Sequence, residues 1–174
     1  MKLYNNVLSK ELLNETVEIL TYLTTQPVWS SSVYSWDDTV KSYSLGDVLV
    51  LDIPQPLTDK LNDELFKKYF YLQFPKLKEV SYQFSVWNNL ASINLHDDIQ
   101  HIFGSTLYLN KTWEVDWGGL FVWKDKEEPI EGKMNSLCPQ QNMLVVNNDR
   151  ELHAVTSVSP FAPESRFTIQ IWGK

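Results

Sequence analysis

The sequence of 174 residues contains one cysteine, Cys138, so a single chain can form neither a disulfide framework nor a cysteine-based zinc site. Nothing in the sequence supplies this thiol with a local base, so it is not predicted to be a nucleophile. Positive charge is also scarce. The 15 Lys and Arg against 22 Asp and Glu give a net charge of −7, with no basic run that would bind phosphates. This balance argues against nucleic acid and against an anionic membrane surface as partners.

Long apolar runs are lacking as well. Nothing approaches the roughly 18 apolar residues of a membrane span, and residues 1–6 lack the apolar region of a signal peptide. These features predict a soluble protein located in the cytoplasm. The chain does contain 43% hydrophobic and 13% aromatic residues, which is typical of a globular protein with a core. We expect one domain over residues 1–174.

Helical patterns are confined to the first 79 residues. Ser9 is a candidate N-cap for a helix through Thr24, and a second helix is predicted from Thr58 to Phe74, where Pro75 stops it. Residues 28–45 are rich in Ser, Trp and Tyr without a clean period, and are predicted as a loop or irregular strands. Residues 1–79 are therefore expected to form a helical and irregular support.

From Val80 onward, short β-rich segments alternate with turns. Seven strands are predicted, at 82–87, 92–96, 105–109, 119–123, 143–147, 154–158 and 166–172. Regularly spaced short strands without intervening helices indicate a sandwich or jelly roll. The predicted fold class is mostly β with flanking N-terminal helices, an α+β arrangement whose jelly-roll core covers residues 80–174.

Candidate metal ligands occur in two places. In the triplet His96-Asp97-Asp98, strand alternation predicts that His96 and Asp98 share a face while Asp97 points away or lies beyond the strand end. His153 begins another β-like stretch 55 residues after Asp98. Two imidazoles and one carboxylate form the facial triad of non-haem iron(II) oxygenases, which leaves three coordination positions for a bidentate 2-oxo acid and dioxygen. A surface turn at the triplet, and a zinc hydrolase with the same ligands, are the alternatives.

A candidate anion-binding residue lies on the last predicted strand. Arg166 follows His153 by thirteen residues, and its planar guanidinium suits bidentate binding of the distal carboxylate of 2-oxoglutarate. Thr168, two residues further on the same face, is predicted to add a hydroxyl donor. The alternative for Arg166 is a solvated strand edge, and only the spacing from His153 favours the binding role.

The ordered motifs resemble the prolyl-4-hydroxylase-type branch of the 2-oxoglutarate oxygenases, which includes the oxygen-sensing prolyl hydroxylases. The matching features, over about 77 residues, are the triplet at 96–98, Tyr-Leu-Asn at 108–110 before Trp113, Gly-Gly at 118–119, the distal histidine, and Arg166 with Trp172 six residues later. The resemblance implies a double-stranded β-helix, which is a jelly roll. It also implies Fe(II) as cofactor, 2-oxoglutarate and dioxygen as co-substrates, and ascorbate as a supporting reductant.

The same resemblance implies further roles. Tyr108 would donate a hydrogen bond to the distal carboxylate beside Arg166, and Gly118-Gly119 would let a strand approach the metal pocket closely. The implied reaction is hydroxylation of a carbon, with a prolyl residue in a peptide or protein favoured over a free amino acid or other small metabolite. A halogenase is disfavoured because Asp98 occupies the carboxylate position. From another class, a non-catalytic metal-binding jelly-roll module remains the alternative.

Residues near the pocket are also predicted. Trp87 and Trp172 are expected to line it, and His101 is expected in a loop at its mouth. The aromatic segment 29–43, with Trp29, Tyr34 and Trp36, is a candidate clamp for an extended substrate, since aromatic faces suit proline rings.

Overall fold

The computed structural model describes residues 1–32, 44–127, 129, 132–147 and 151–174, which include two helical regions before Val80 and a short 3-10 helix at Val115–Trp117. Helix α1 spans Lys10–Thr24, and the Ser9 hydroxyl accepts a hydrogen bond from the Leu12 amide at 3.2 Å, as predicted for this cap. Helix α2 spans Gln55–Leu61 and continues as a π-helical segment, Asn62–Phe70. It begins three residues before the predicted start because proline, with its fixed φ, is tolerated in a first turn.

The described residues contain twelve strands. They are β1 Lys2–Asn5, β2 Ser30–Ser31, β3 Ser44–Leu45, β4 Val48–Asp52, β5 Val80–Trp87, β6 Ser92–His96, β7 Phe103–Tyr108, β8 Phe121–Trp123, β9 Asn135–Leu137, β10 Met143–Asn147, β11 His153–Val155 and β12 Arg166–Gly173. All seven predicted strands are present. Five further strands were not predicted, β9 and the four that precede Val80; four of these five are only two to four residues long, which is too short for alternation to reveal them.

The strands form two antiparallel sheets. The larger has seven strands in the order β1-β10-β7-β12-β5-β4-β2, and the smaller has five in the order β3-β6-β11-β8-β9. Strands that are distant in sequence are neighbours, as β12 between β7 and β5 shows. Two such sheets make a jelly-roll sandwich, so the predicted mostly-β fold class is confirmed.

Apolar residues pack on both faces of the larger sheet. Ile169 and Ile171 of β12 belong to a cluster shared with the two helical regions, and Val145 and Phe121 belong to a second cluster between the sheets. Because side chains alternate along a strand, Arg166 and the residues two, four and six positions later face the space between the sheets. No described helix has the length and hydropathy needed to cross a membrane.

Candidate metal and co-substrate site

The sandwich brings the three predicted metal ligands together. His96 ends β6 and is paired in register with His153, which begins β11. Asp98 Oδ1 lies 3.5 Å from His96 Nε2, and Asp98 Oδ2 lies 3.4 Å from His153 Nε2. One ligand atom from each residue lies within 4.8 Å of the others. This donor set, two imidazole nitrogens and a carboxylate oxygen on one side of a cavity, fits a facial triad.

Asp98 reaches the histidines by a route that strand alternation does not predict. Strand β6 ends at His96, and Asp98 has a φ of 52°, in the left-handed region. Aspartate tolerates this conformation better than most residues because its short polar side chain can hydrogen-bond locally. The argument from a shared strand face is therefore wrong, although the carboxylate it selects is the one beside both imidazoles.

Backbone carbonyls orient both imidazoles. His96 Nδ1 lies 2.8 Å from the Asn94 carbonyl oxygen, and His153 Nδ1 lies 3.0 Å from that of Glu151. A carbonyl only accepts, so each Nδ1 carries a proton, and in the neutral imidazole each Nε2 is the nitrogen that is free to bind a metal. The Asn147 side chain fixes the Glu151 carbonyl that His153 contacts. Its Nδ2 donates to the Glu151 carbonyl oxygen and its Oδ1 accepts from the Glu151 N–H, each at 3.0 Å.

Burial and mutual contact perturb the three ligands differently. Burial lowers the pKa of His96, and the adjacent His153 acts in the same direction. Burial also acts to lower the pKa of His153, but its contact with Asp98 outweighs this and raises the pKa above the usual value. For Asp98, burial opposes ionisation, yet the two histidines lower its pKa overall. The site therefore holds an ionised carboxylate beside imidazoles of unequal basicity.

Gly104 on β7 makes room for the Asp98 carboxylate. A Cβ at this position would overlap Asp98 Oδ2. Asn147, one strand away on β10, is in register with Gly104 and lines the same cavity as the triad. Neither residue was identified from the sequence, since a single glycine or asparagine carries no motif. Side-chain alternation along β7 and β10, which places Gly104 and Asn147 on the inward face, is the only signal that could have indicated them.

Arg166 is completely buried at the start of β12. None of its three side-chain nitrogens has a hydrogen-bond partner among the described residues, and neither does the buried Tyr108 hydroxyl. The guanidinium carbon lies 5.1 Å from the centre of the Trp87 ring and 5.0 Å from that of Tyr108. Burial lowers the pKa of Arg166, and the neighbouring Tyr108 partly offsets that effect.

An unpaired buried cation is unfavourable, so these contacts fit a binding site for an anion. The solvated-edge alternative for Arg166 is wrong, because the side chain is 0% exposed. Gly119 has a φ of 59°, and a Cβ there would lie 2.8 Å from Arg166 Cδ. Gly119 therefore approaches the arginine, whereas Gly118 approaches the Ser157 carbonyl oxygen, so neither close approach is made to a metal-ligand candidate.

Thr168 contacts Trp87, the residue whose ring lies beside the Arg166 guanidinium. Its hydroxyl oxygen accepts from Trp87 Nε1 at 3.1 Å and from Gln170 Nε2 at 3.2 Å. These bonds occupy the oxygen lone pairs, so what the hydroxyl can offer a ligand is its proton, as the predicted donor role requires.

A cavity of about 580 Å³ opens beside the triad. Trp87 and Trp172 line it, as predicted, and so does His101, whose ring centre is 5.7 Å from that of Trp172. Arg166 does not line the cavity, but Trp87, whose ring contacts the guanidinium, does. Trp29 is elsewhere: it packs on the helical core and donates to the Leu23 carbonyl at 2.8 Å.

Two other predictions have different outcomes. Tyr34 and Trp36 lie outside the described residues. Cys138 is half-buried with its thiol 3.6 Å from the Trp113 carbonyl oxygen, and burial raises the pKa of this thiol, with Glu114 acting in the same direction. A protonated thiol is a poor nucleophile, in agreement with the sequence-based expectation.

Three solved structures with this architecture are informative. A Pseudomonas putida prolyl-4-hydroxylase superposes with a TM-score of 0.68 at 15% identity over 99% of this chain and 91% of its own. A Trichoplax adhaerens prolyl hydroxylase, in complex with a hypoxia inducible factor peptide fragment, gives 0.68 at 15% identity, over 99% and 82%. HygX from Streptomyces hygroscopicus, with nickel and 2-oxoglutarate bound, gives 0.67 at 10% identity, over 98% and 81%.

At these identities the superpositions establish a common fold. Among curated protein sequences, none matches the chain. The family model described as the 2OG-Fe(II) oxygenase superfamily matches residues 82–174, which is more than half of the chain and contains the three metal-ligand candidates and Arg166. The chain therefore belongs to the 2OG-Fe(II) oxygenase superfamily, whose members are 2-oxoglutarate-dependent oxygenases that use Fe(II).

Proposed function

We propose that this oxygenase hydroxylates a substrate carbon, with a prolyl residue in a peptide or protein as its substrate, and releases succinate and CO2. The observation that carries the proposal is the presence, in one sandwich, of an imidazole-carboxylate triad and a buried arginine without a hydrogen-bond partner among the described residues. His96, Asp98 and His153 would hold Fe(II), each through the atom that faces the other two. The iron and 2-oxoglutarate together supply the oxidising chemistry when bound.

The remaining steps belong to the side chains of the chain. Arg166 would bind the distal carboxylate of 2-oxoglutarate through its planar fork, and Tyr108 would donate a hydrogen bond from its hydroxyl. Thr168 would donate its hydroxyl proton to 2-oxoglutarate. The Trp87 ring and the apolar residues between the sheets would exclude water, which strengthens each of these contacts.

The peptidyl substrate is supported by two features. Trp172 and His101 both line the cavity, and their rings offer flat surfaces for a ring or an extended chain. The Trichoplax protein, which has the same fold, binds a peptide in its solved complex. A free amino acid or other small metabolite is the second candidate, because polar side chains line much of the cavity.

A turnover screen tests the proposal. The protein would be incubated with Fe(II), ascorbate and 2-oxoglutarate, together with proline-containing peptides, free amino acids or other metabolites. Succinate and product masses are then measured. We expect peptides heavier by one oxygen at proline, and no product from Asp98→Ala. If only free amino acids or metabolites gain oxygen, the peptide assignment is wrong and the oxygenase assignment stands.

A further inference from the structure

The inner face of the larger sheet is divided into rows by its register. Trp172 and Gly104 are paired beneath Asp98, at the metal end of the cavity. Arg166 is paired with Trp87 at the opposite end. Between these ends, one row crosses four strands in continuous register; it consists of Asp52 on β4, Gln83 on β5, Gln170 on β12 and Thr106 on β7. All four residues line the cavity.

The position of the row separates two compartments. The metal end and the anchor lie over β7 and β12, which carry Gly104, Tyr108 and Arg166. Strands β5 and β4 lie further to one side, at about 5 and 10 Å from β12. Gln83 and Asp52 therefore flank the path between metal and anchor instead of lying on it. A group bound there would belong to the substrate that is oxidised.

Hydrogen bonding leaves one acceptor in this row unmet. Gln83 Nε2 donates to Asp52 Oδ1 at 3.2 Å, and because a carboxylate only accepts, this contact fixes the orientation of the amide. The Gln83 Oε1 atom is then buried without a hydrogen-bond partner among the described residues. By contrast, Gln170 is satisfied: it accepts from Thr106 at 2.9 Å and donates to Thr168 at 3.2 Å.

The charged side chains near Gln83 Oε1 are mostly acidic, and so, like this oxygen, they favour a positively charged donor. Besides Asp98 of the triad, two carboxylates, Asp52 and Glu79, line the cavity, and Lys174, which follows β12, is the lysine among the described lining residues. Asp52 has one oxygen committed to Gln83, which leaves the other for a ligand. A buried amide oxygen with an adjacent carboxylate is matched by a group that both donates N–H and carries positive charge.

We propose that Gln83 and Asp52 form a subsite for a protonated amine of the substrate, with one N–H donated to Gln83 Oε1 and the charge balanced by Asp52. This inference rests on the proposed function and narrows its substrate class. The amine has two possible sources, a basic side chain next to the prolyl residue of a peptide or the α-ammonium group of a free amino acid.

Binding to an inactive complex tests the subsite apart from catalysis. The protein would be loaded with Ni(II) and 2-oxoglutarate, and ligand affinity measured by calorimetry in two arms. One arm compares acetylated X-Pro-Gly peptides with Lys, norleucine or Glu as X, and the other compares L-proline with N-acetyl-L-proline. In at least one arm we expect the amine to bind about fivefold tighter than its neutral partner, as for a partly exposed ion pair.

Two variants and one control connect this preference to the subsite. Asp52→Asn is expected to reduce the preference to less than twofold, and Gln83→Met to weaken binding of the preferred amine. Asp59→Asn removes the same charge from an exposed carboxylate that accepts from Gln55 at 2.7 Å and does not line the cavity. It should leave the preference unchanged.

The outcomes separate this inference from the proposed function. Equal affinity for amine and neutral partners in both arms, including absence of binding to either, would overturn the subsite, as would equal effects of Asp52→Asn and Asp59→Asn. Turnover with Fe(II) is measured on the same panel. Hydroxylated peptide formed without any charge preference leaves the proposed function standing while the subsite is lost.

Discussion

Among single residues, Arg166 most needs a bound ligand, because its guanidinium is buried without a hydrogen-bond acceptor among the described residues. A guanidinium that is 0% exposed and has no hydrogen-bond acceptor among the described residues is unfavourable unless an anion completes its bonding. The two aromatic rings beside it stabilise the charge only in part. The arginine is therefore the residue that we propose for binding the 2-oxoglutarate carboxylate.

Replacing the planar guanidinium of Arg166 with a lysine ammonium, which keeps the charge, should weaken 2-oxoglutarate binding. We expect Arg166→Lys to lose 2-oxoglutarate affinity by roughly 1–3 kcal/mol, about 5- to 150-fold, because an ammonium cannot make both parallel hydrogen bonds. Tyr108→Phe should lose less, since one neutral donor is removed. Calorimetric titration of the Ni(II)-loaded protein measures both. An unchanged affinity in Arg166→Ala would mean that another residue holds the carboxylate.

The unequal histidines predict how metal binding depends on pH. The pKa of His153 is raised by Asp98, so this imidazole carries a proton up to a higher pH than an isolated histidine and the metal must displace it. His96, whose pKa is lowered, does not compete in this way. Affinity for Ni(II) should therefore decrease on acidification through the pKa of His153, by up to about tenfold per pH unit. A flat profile between pH 6 and 8 would contradict this.

The residue types at the site were predictable because the chemistry restricts them. Few side chains other than His, Asp and Arg can supply a triad and a carboxylate fork, and the chain contains only three histidines. Gln83 and Asn147 were not predictable in the same way. Glutamine and asparagine are common on strands, and only the register between distant strands shows which of them face the cavity.

At the scale of elements, the strands from Val80 onward were predictable because they are short, apolar and separated by turns. The turn that carries Asp98 was not, since a positive φ at an aspartate has no reliable sequence signature. The continuation of α2 as a π-helical segment was also not predicted, because its apolar residues recur as in an α-helix. Strand bounds therefore follow from local pattern, whereas the approach of ligands depends on contacts between elements.

The Gly104→Ala substitution adds one methyl group to β7 and tests how this strand packs against the turn that carries Asp98. Gly104→Ala would place a Cβ where the Asp98 carboxylate lies, and that flexible side chain must move. We expect the affinity for Ni(II) to fall at least about tenfold while the protein stays folded, because the displaced group is a side chain at a cavity wall. Calorimetry and thermal unfolding followed by circular dichroism measure the two effects.

Gly173→Ala is the matched control. Its Cβ would overlap the ring of Phe103 in the helical core, away from the triad. It should lower the free energy of unfolding by about 1–3 kcal/mol and leave the metal affinity unchanged. If both variants lower metal affinity equally, the effect of Gly104→Ala is general destabilisation, and the specific role of that glycine is lost.

At the scale of the whole molecule, two antiparallel sheets enclose a cavity whose ends have different chemistry. Metal-ligand candidates from β6, its following turn and β11 line one end, and Trp87, whose ring contacts the buried Arg166 of β12, lines the other. The order of motifs along the chain made this arrangement predictable, because the same order accompanies the fold in the family. The lateral compartment at Gln83 and Asp52 was not predictable, since β4 comes from the N-terminal region, where no motif was found.

We propose that His96, Asp98 and His153 bind Fe(II) and that 2-oxoglutarate would bind beside this iron with its distal carboxylate held by Arg166. Anaerobic addition of Fe(II) and 2-oxoglutarate, followed by visible absorption, tests it most directly. We predict a weak charge-transfer band in the wild type and in Asp97→Ala, and no band in correctly folded Asp98→Ala. A band that persists in Asp98→Ala, or is absent from folded wild-type protein, would contradict the account.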